Sequence, residues 1–580
     1  MIKKLAKFSK GYVKESILAP IFIGGEVFME VLIPVFVAKI VNTLNSANPS
    51  FDIVWHNAIY LVLCCLVSLL FGCLAGRFSA VASCGFARNL RHALFDRVQS
   101  FSFKSIDKFS TASIVTRLTT DVSNLQNAYG MLIRIAFRAP LMLIFSLIAA
   151  VSVNGELAVV FFVAIPVLAV AIGFIVTKAY PVFRKVFKTY DSLNEVVQEN
   201  LAGIRVVKSY VREDFENQKF GKVSKLIYDL FIKAEKIVSY NGPVMNGCIY
   251  GMMVVVSWLG AQIIIGDIGV DGGMQVGDLS QLITYGIQML SSLMMVSMVL
   301  VQLVMSKASG DRCVEILEEQ NDITDPAEPV YEIKNGDIDF NDVCFRYSDT
   351  AEKNTLDHIN LHIKSGMTVG ILGGTGSAKS SLVQLIPRLY DVSEGSLELG
   401  GVDVRSYNVT ALRDSVAMVL QKNELFSGTV AENLRWGNEN ATDEELVEAC
   451  KRAQAHDFVS AMPDGYNTFI ERGGTNVSGG QKQRLCIARA LLGKPKVLIL
   501  DDSTSAVDTQ TDAFIREGLR TYLPEATKII IAQRVSSVEE SDMIVVLDDG
   551  HIADCGTHDE LLERCEIYRE VYQQQTKGGK

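Results

Sequence analysis

Long apolar runs crowd the first half of this 580-residue chain and stop near residue 305. A helix needs about 20 consecutive apolar residues to cross the hydrocarbon layer of a bilayer. Six stretches meet that length, at 17–41, 54–82, 131–152, 157–179, 243–266 and 279–304. In lipid every backbone polar group must be satisfied within the segment, so such runs are predicted to be helical spans. The N-terminus is basic (Lys3, Lys4, Lys7, Lys10, Lys14) and leads into the first of them. That run is too long for the apolar core of a signal peptide and lacks a small-residue cleavage site, which makes it a membrane helix. Connections after spans one, three and five are short and nearly free of Lys and Arg (Asn42–Ile53, Val153–Glu156, Asp267–Asp278). Those after spans two and four are long and basic, which places them and both termini in the cytoplasm.

The two long loops have helical periodicity, so spans two to five are expected to continue well beyond the bilayer. Each loop holds a segment that a cytoplasmic partner can grip, 101–109 in the first and 203–213 in the second. Without such a partner both read as solvated amphipathic helices. Glu26 and Glu30, four apart, share one face of the first span. A carboxylate at that depth is a candidate substrate-cavity residue, and equally one that pairs against neighbouring helices. The sixth span is rich in methionine (Met289, Met294, Met295, Met298, Met305). Methionine adapts to irregular apolar partners, so Met294 and Met298 read either as cavity lining or as ordinary packing.

Bulk composition agrees with a membrane half joined to a soluble half. Hydrophobic residues make up 49% of the chain, and its mean hydropathy is +0.24. The net charge of −10 speaks against a nucleic-acid partner, which wants a basic face. The 11 cysteines show no C-x-x-C pair, and several sit in apolar runs (Cys64, Cys65, Cys73, Cys248). That usage suits buried free thiols in a reducing compartment better than disulfides or a zinc site. From Lys307 to Gly336 apolar runs give way to acids and two prolines, so the predicted organisation is a membrane domain at 1–306, a linker at 307–336 and a soluble domain at 337–580.

Beyond residue 337 short apolar strands alternate with helical stretches, the pattern of an α/β domain. The strand-like run Thr368–Leu372 leads through Gly373, Gly374, Thr375, Gly376, Ser377, Ala378, Lys379, Ser380 and Ser381 into a helical run. A glycine-rich turn between strand and helix aims backbone N–H groups and the helix's positive end at an anion. Lys379 is then placed for nucleotide phosphates and the Ser380 hydroxyl for Mg²⁺. The usual phosphate loop has glycine immediately before the lysine. Ala378 keeps the N–H donor, so binding is expected to survive unless that position needs a positive φ. Tyr347 precedes the loop and is suited to stack on a base or to pack in a core. Val497–Leu500 is a buried strand ending in Asp501, a carboxylate able to hold Mg²⁺ beside the loop. Ser478, Gly479, Gly480 and Gln481 open an apolar helix and form a second anion-binding turn. Two such turns on one small domain make sense if the second serves a nucleotide held by another copy.

Together these residues closely resemble the ATP-binding-cassette transporters, and among them the half-size exporters. The resemblance covers nearly the whole chain and implies an all-α domain of six spans followed by an α/β P-loop NTPase cassette. It implies Tyr347 for the adenine, Gly373–Ser381 for the phosphates, Gln421 as the glutamine that senses Mg²⁺ and the membrane domain, and Asp501 as the Mg²⁺ aspartate. It further implies Ser478–Gln481 as the signature and Ser505–Asp508 as a loop crossing the dimer, with Asp508 its last residue. Two cassettes close head to tail in that family, each ATP lying between one chain's phosphate loop and the other's signature. The segments 101–109 and 203–213 would be coupling helices.

Two positions depart from the family pattern. After Asp501 the family places a glutamate that orients or deprotonates water, and here stands Asp502. The switch histidine is replaced by Gln533. The expectation is a site that holds ATP and Mg²⁺ but hydrolyses slowly, with an intact signature that completes a competent site on a second half-transporter. A homodimeric exporter with two slow sites, or an ATP-gated membrane protein, are the alternatives. The substrate class stays broad: a hydrophobic small molecule, a lipid or a peptide, met within membrane lipid.

Overall fold

The computed structural model describes residues 2–46, 49–266, 273–348, 351–503 and 507–577. The chain divides into two compact units. The first comprises Met1–Gln99 and Thr111–Glu319, and the second Ser100–Ser110 and Gln320–Lys580.

Among the described residues the regular elements of the first unit are all helices. Its long elements are α1 (Val13–Leu44), α2 (Phe51–Gln99), α3 (Val122–Val153), α4 (Gly155–Ala202), α5 (Glu213–Val238), α6 (Asn241–Gly266) and α7 (Val276–Glu318). Six helical stretches among the described residues are long and apolar enough to cross a membrane; five contain a predicted span whole, and the sixth, Val276–Val296, covers the first part of 279–304. Rows of large apolar side chains face outward on α2 (Leu66, Leu69, Leu70) and α4 (Phe162, Val163, Val170, Phe174), as lipid as solvent requires. Cys65 and Cys73 are exposed as well. The expectation of buried thiols fails for these two, because residues of an apolar run on the outer surface meet lipid and not a core.

With 49 residues, α2 is about 74 Å long at 1.5 Å per residue, more than twice the ~30 Å hydrocarbon thickness. The expected continuation of the spans beyond the bilayer is therefore met. Asn154 makes the sharp turn between α3 and α4, its side chain accepting from the Leu157 N–H at 3.0 Å. Gly277 lets α7 press on α1, since a Cβ there would lie 2.3 Å from the Ala38 carbonyl oxygen. Small residues at such crossings are what membrane helices use to approach closely.

The last helix outruns its predicted end. Residues 307–318, expected as linker, are its final turns. Side-chain pairing explains this. Arg312 forms an ion pair with Asp121, whose carboxylate is fully buried, and Arg117 bonds both the Arg312 carbonyl at 2.9 Å and Glu315 at 2.8 Å.

Among the described residues the second unit carries twelve strands: β1 (Ile338–Phe345), β2 (Leu356–Ile363), β3 (Thr368–Gly373), β4 (Glu394–Leu399), β5 (Val402–Asp403), β6 (Val416–Val419), β7 (Gly428–Thr429), β8 (Phe469–Ile470), β9 (Val497–Asp501), β10 (Thr527–Ile531), β11 (Met543–Asp548) and β12 (His551–Gly556). Six form a sheet in the order β12-β11-β3-β10-β9-β6, four form a second sheet in the order β2-β1-β4-β5, and β7 pairs with β8. In the larger sheet β11, β3, β10, β9 and β6 run parallel. Alternate residues of its strands enter different cores: Ile371, Ile499 and Ile529 one, Leu372, Leu498 and Ile530 the other. A sheet covered on both faces needs apolar residues at successive positions, which is why Val497–Leu500 reads as a continuous run. Parallel register puts Gly373, Asp501 and Ile531 together at the carboxyl edge, where open α/β sheets bind ligands.

Segment 101–109 belongs to this second unit. Its helix Phe103–Lys108 is capped by Ser102, Phe103 packs against Tyr390, and the Tyr390 hydroxyl donates to Asp107 at 2.6 Å. Segment 203–213 lies in the first unit and leaves Val206, Tyr210 and Val211 exposed.

Candidate functional site

The phosphate-loop turn runs from the end of β3 into helix α8 (Lys379–Leu385). Two of its three glycines are there for backbone reasons. Gly376 has a φ of +86°, and a Cβ on Gly373 would fall 2.3 Å from the Leu547 carbonyl oxygen. Ala378 has a φ of 69°, so the position does require the left-handed region. This meets the one condition under which alanine was expected to matter. Such a conformation costs a residue bearing a Cβ about 1–2 kcal/mol. Lys379 folds back over the turn, its Nζ donating to the carbonyls of Gly373 at 2.9 Å and Gly374 at 2.8 Å. Burial lowers its pKa from the ordinary lysine value, opposed by the charges of Asp501 and Asp502.

Asp501 closes the site from β9 and is buried. Burial raises its carboxyl above the usual range, against a hydrogen bond from Ser380 and the charge of Lys379. A serine hydroxyl beside a buried carboxylate is the hard oxygen pair that Mg²⁺ prefers, so these residues fit that ion. Gln421, two residues beyond β6, is exposed at the same edge. Gly374, Thr375 and Gly376 are exposed too, while Ser377 and Ser381 are buried.

Asp502 and Gln533 come together. They are 31 positions apart, yet Nε2 of Gln533 donates to Oδ2 of Asp502 at 3.0 Å. The adjacency of β9 and β10 makes this contact, and the Asp502 N–H donates to the Ile531 carbonyl at 3.0 Å. Asp502 is itself left-handed, at a φ of 48°. Sequence reasoning missed Gln575, which anchors the Gln533 segment: its Nε2 donates to the Gln533 carbonyl and its Oε1 accepts from the Val535 N–H, both at 2.8 Å. A glutamine near the chain's end carries no sequence signal for that contact.

Tyr347 stands between the two uses foreseen for it. Its hydroxyl hydrogen-bonds Ser381 Oγ at 2.9 Å, and its ring meets Phe345 and Tyr390 edge-on. The residue stays 42% exposed, which leaves it a free surface beside the phosphate loop.

The second turn opens helix α9 (Gly479–Leu492). Ser478 accepts from the Gln481 N–H at 3.3 Å, and Gln481 Oε1 accepts from the Ser478 N–H at 2.8 Å. This reciprocal capping box fixes the helix start while Ser478 and Gly479 remain exposed. Asp508 caps α10 (Thr509–Tyr522) through the Thr511 N–H at 2.9 Å. That bond and the Thr511 hydroxyl hold its carboxyl below the usual range. Ser505 and Ala506 lie outside the described residues.

In the membrane half Glu26 and Glu30 bind one cation that sequence reasoning passed over. Arg138, on α3, reaches Glu26 at 2.5 Å and Glu30 at 2.7 Å. Its only signal was a basic residue inside an apolar span. Met289 is fully buried, whereas Met294 and Met298 are 41% and 64% exposed; the Met305 side chain lies outside the described residues.

Comparison with known proteins places these features in one family. Residues 17–298 match the family described as ABC transporter transmembrane region and residues 356–505 the family described as ABC transporter. Over 578 residues, 99% of this chain and 98% of the relative, it is 35% identical to the ABC transporter ATP-binding protein YfiB of Bacillus subtilis. It is 32% identical over 495 residues to an ATP-dependent lipid A-core flippase of Desulfotalea psychrophila, covering 84% of each chain. A solved bacterial Atm1-family ABC exporter with ATP bound superposes with a TM-score of 0.81 at 24% identity, covering 98% of both chains.

Proposed function

This chain belongs to the ABC transporters, and from that premise we propose that it is one half of a heterodimeric exporter whose own ATP site turns over slowly. It is a multi-pass membrane protein, an ATPase coupled to transport. Tyr347 would stack on the adenine, the backbone of Gly373–Ser381 with Lys379 would bind the phosphates, and Ser380, Asp501 and Gln421 would hold Mg²⁺, which neutralises phosphate charge.

The hydrogen bond between Asp502 and Gln533 carries the reading. A carboxylate one methylene shorter than glutamate is tied to a side chain that cannot become cationic. Misplacing a base by about 1 Å can cost on the order of 10²-fold in rate, and the lost imidazole removes a second aid to the γ-phosphate. The exposed Ser478 and Gly479 would complete a competent site on a partner half, which Asp508 would help to shape.

Glu26, Glu30, Met294 and Met298 are proposed to line the substrate path. The resemblance to a lipid A-core flippase supports an amphiphilic, lipid-like or drug-like cargo, and the bacterial relatives support the plasma membrane. Segments 101–109 and 203–213 would be the coupling elements, the exposed Val206, Tyr210 and Val211 docking on the partner's cassette.

The test uses the chain co-purified with its partner half, the partner's catalytic glutamate changed to glutamine so that one site turns over. Asp502→Glu with Gln533→His should then raise ATP hydrolysis, recovering part of the 10²–10⁴-fold that a positioned base contributes. Hydrolysis that stays at background in the double variant rules out these two residues as the cause of slowness.

A further inference from the structure

Away from the phosphate loop, side chains of metal-binding chemistry converge at the joined ends of β1 and β2. Ligand atoms of Cys344, Asp357 and His358 all lie within 4.8 Å of one another. Cys344 Sγ is 3.6 Å from Asp357 Oδ1 and accepts the His358 backbone N–H at 3.3 Å. Nδ1 of His358 is 2.7 Å from Asp342 Oδ1. A fifth group, His551, stands on the other side, its Nε2 3.9 Å from Asp357 Oδ2.

The strands depart from regular pairing to make this cluster. Successive residues of a strand point to opposite faces, yet side-chain ligand atoms of Asp357 and His358 both lie within 4.8 Å of one sulfur. The β1–β2 register slips twice, between Phe340 and Val343 and between Val343 and Phe345. His358 has a φ of 49° and Asp342 a φ of 52°, left-handed values that non-glycine residues adopt at a cost. Bulges of this kind re-aim side chains. The resulting cluster runs from a buried sulfur to an imidazole 65% exposed.

We propose that Cys344, Asp357 and His358 bind one borderline divalent transition metal, zinc being the best match, with Asp342 orienting the histidine. A thiolate, an imidazole and a carboxylate together suit zinc and disfavour Mg²⁺ and Ca²⁺, which want oxygen alone. The spacing decides in favour as well. Tetrahedral ligands about 2.0–2.3 Å from zinc stand about 3.4–3.7 Å apart, and the sulfur and the Asp357 oxygen are already at 3.6 Å. The imidazole, within 4.8 Å of both atoms, would swing inward, and Asn354 Nδ2 at 2.7 Å would share or yield the Asp357 oxygen. A carboxylate on the far nitrogen of a metal-binding histidine is the usual second partner, and losing it typically costs 10–100-fold in affinity. Bound metal would tie the end of β1 to the start of β2, three residues from Tyr347.

The experiment is a cobalt titration of the chelator-stripped full-length chain, with zinc as competitor. Wild type should take up one equivalent with a thiolate-to-cobalt charge-transfer band and tetrahedral visible bands, both displaced by zinc. Cys344→Ser should abolish the charge-transfer band, and His358→Gln or Asp342→Asn should weaken binding at least tenfold. His358 and Asp342 are exposed, so these two variants keep the fold, which unchanged ATP binding verifies. No band in wild type, a band that survives Cys344→Ser, or equal affinity in His358→Gln overturns the proposal.

Discussion

Two residues of the phosphate-loop site pay in conformation for where they stand. Ala378 and Asp502 both sit at positive φ, 69° and 48°, one at the start of α8 and the other just past β9. Strain of this kind gathers at functional turns, and at Ala378 it can be relieved without losing the backbone donor. Ala378→Gly should therefore stabilise the cassette by about 1–2 kcal/mol, because the strain belongs to the folded turn itself. Denaturant unfolding of the full-length chain measures it, with ATP affinity expected to change little. Unchanged stability would mean that this backbone conformation costs the alanine nothing.

Among the helices, the charges of α1 and α3 hold each other in place. Arg138 offsets two carboxylates that are only 14% and 25% exposed. Removing one partner of a buried pair typically costs about 3–5 kcal/mol, because the remaining charge stays uncompensated. Arg138→Leu should lower the melting temperature and the yield of folded protein in detergent, and adding Glu26→Gln and Glu30→Gln should restore most of the loss. If Arg138→Leu melts like wild type, the carboxylates reach water and the trio is no structural pair. The element also shows why the sixth span ends late: Asp121 and Arg312 meet across 191 residues, and no window of sequence contains both.

At the scale of the assembled transporter the signature is the informative position. Its exposed turn is capped within its own chain by Ser478 and Gln481, so an aspartate at Gly479 would alter the surface offered to a partner more than the fold. Gly479→Asp places a carboxylate where a phosphate should bind. Turnover of the whole complex should fall by at least tenfold while ATP binding at this chain's own phosphate loop is retained. A mutant complex that hydrolyses at the wild-type rate would exclude the head-to-tail arrangement. Lys379→Ala, by contrast, should weaken binding at this chain's own site and leave much of the complex's hydrolysis, as nucleotide-trapping at each site separately would reveal.

The sequence by itself determined the six spans, because lipid admits only long apolar helices. It also determined the strand–turn–helix phosphate loop and the buried β9 that ends in Asp501, because parallel strands covered on both faces must be apolar throughout. The chemistry of these motifs is local, carried by residues a few positions apart. Tertiary structure alone decided the rest. Alanine's identity does not disclose a φ of 69°; the closure of β3 onto α8 does. The Asp502–Gln533 bond depends on β9 lying beside β10, and the Arg138 pairs on helices more than 100 residues apart. Cys344, one of eleven cysteines whose spacing reads only as free thiols, gained its neighbours Asp357 and His358 through a slip in strand register. Pattern sets what each segment can become, and long-range packing sets which side chains meet.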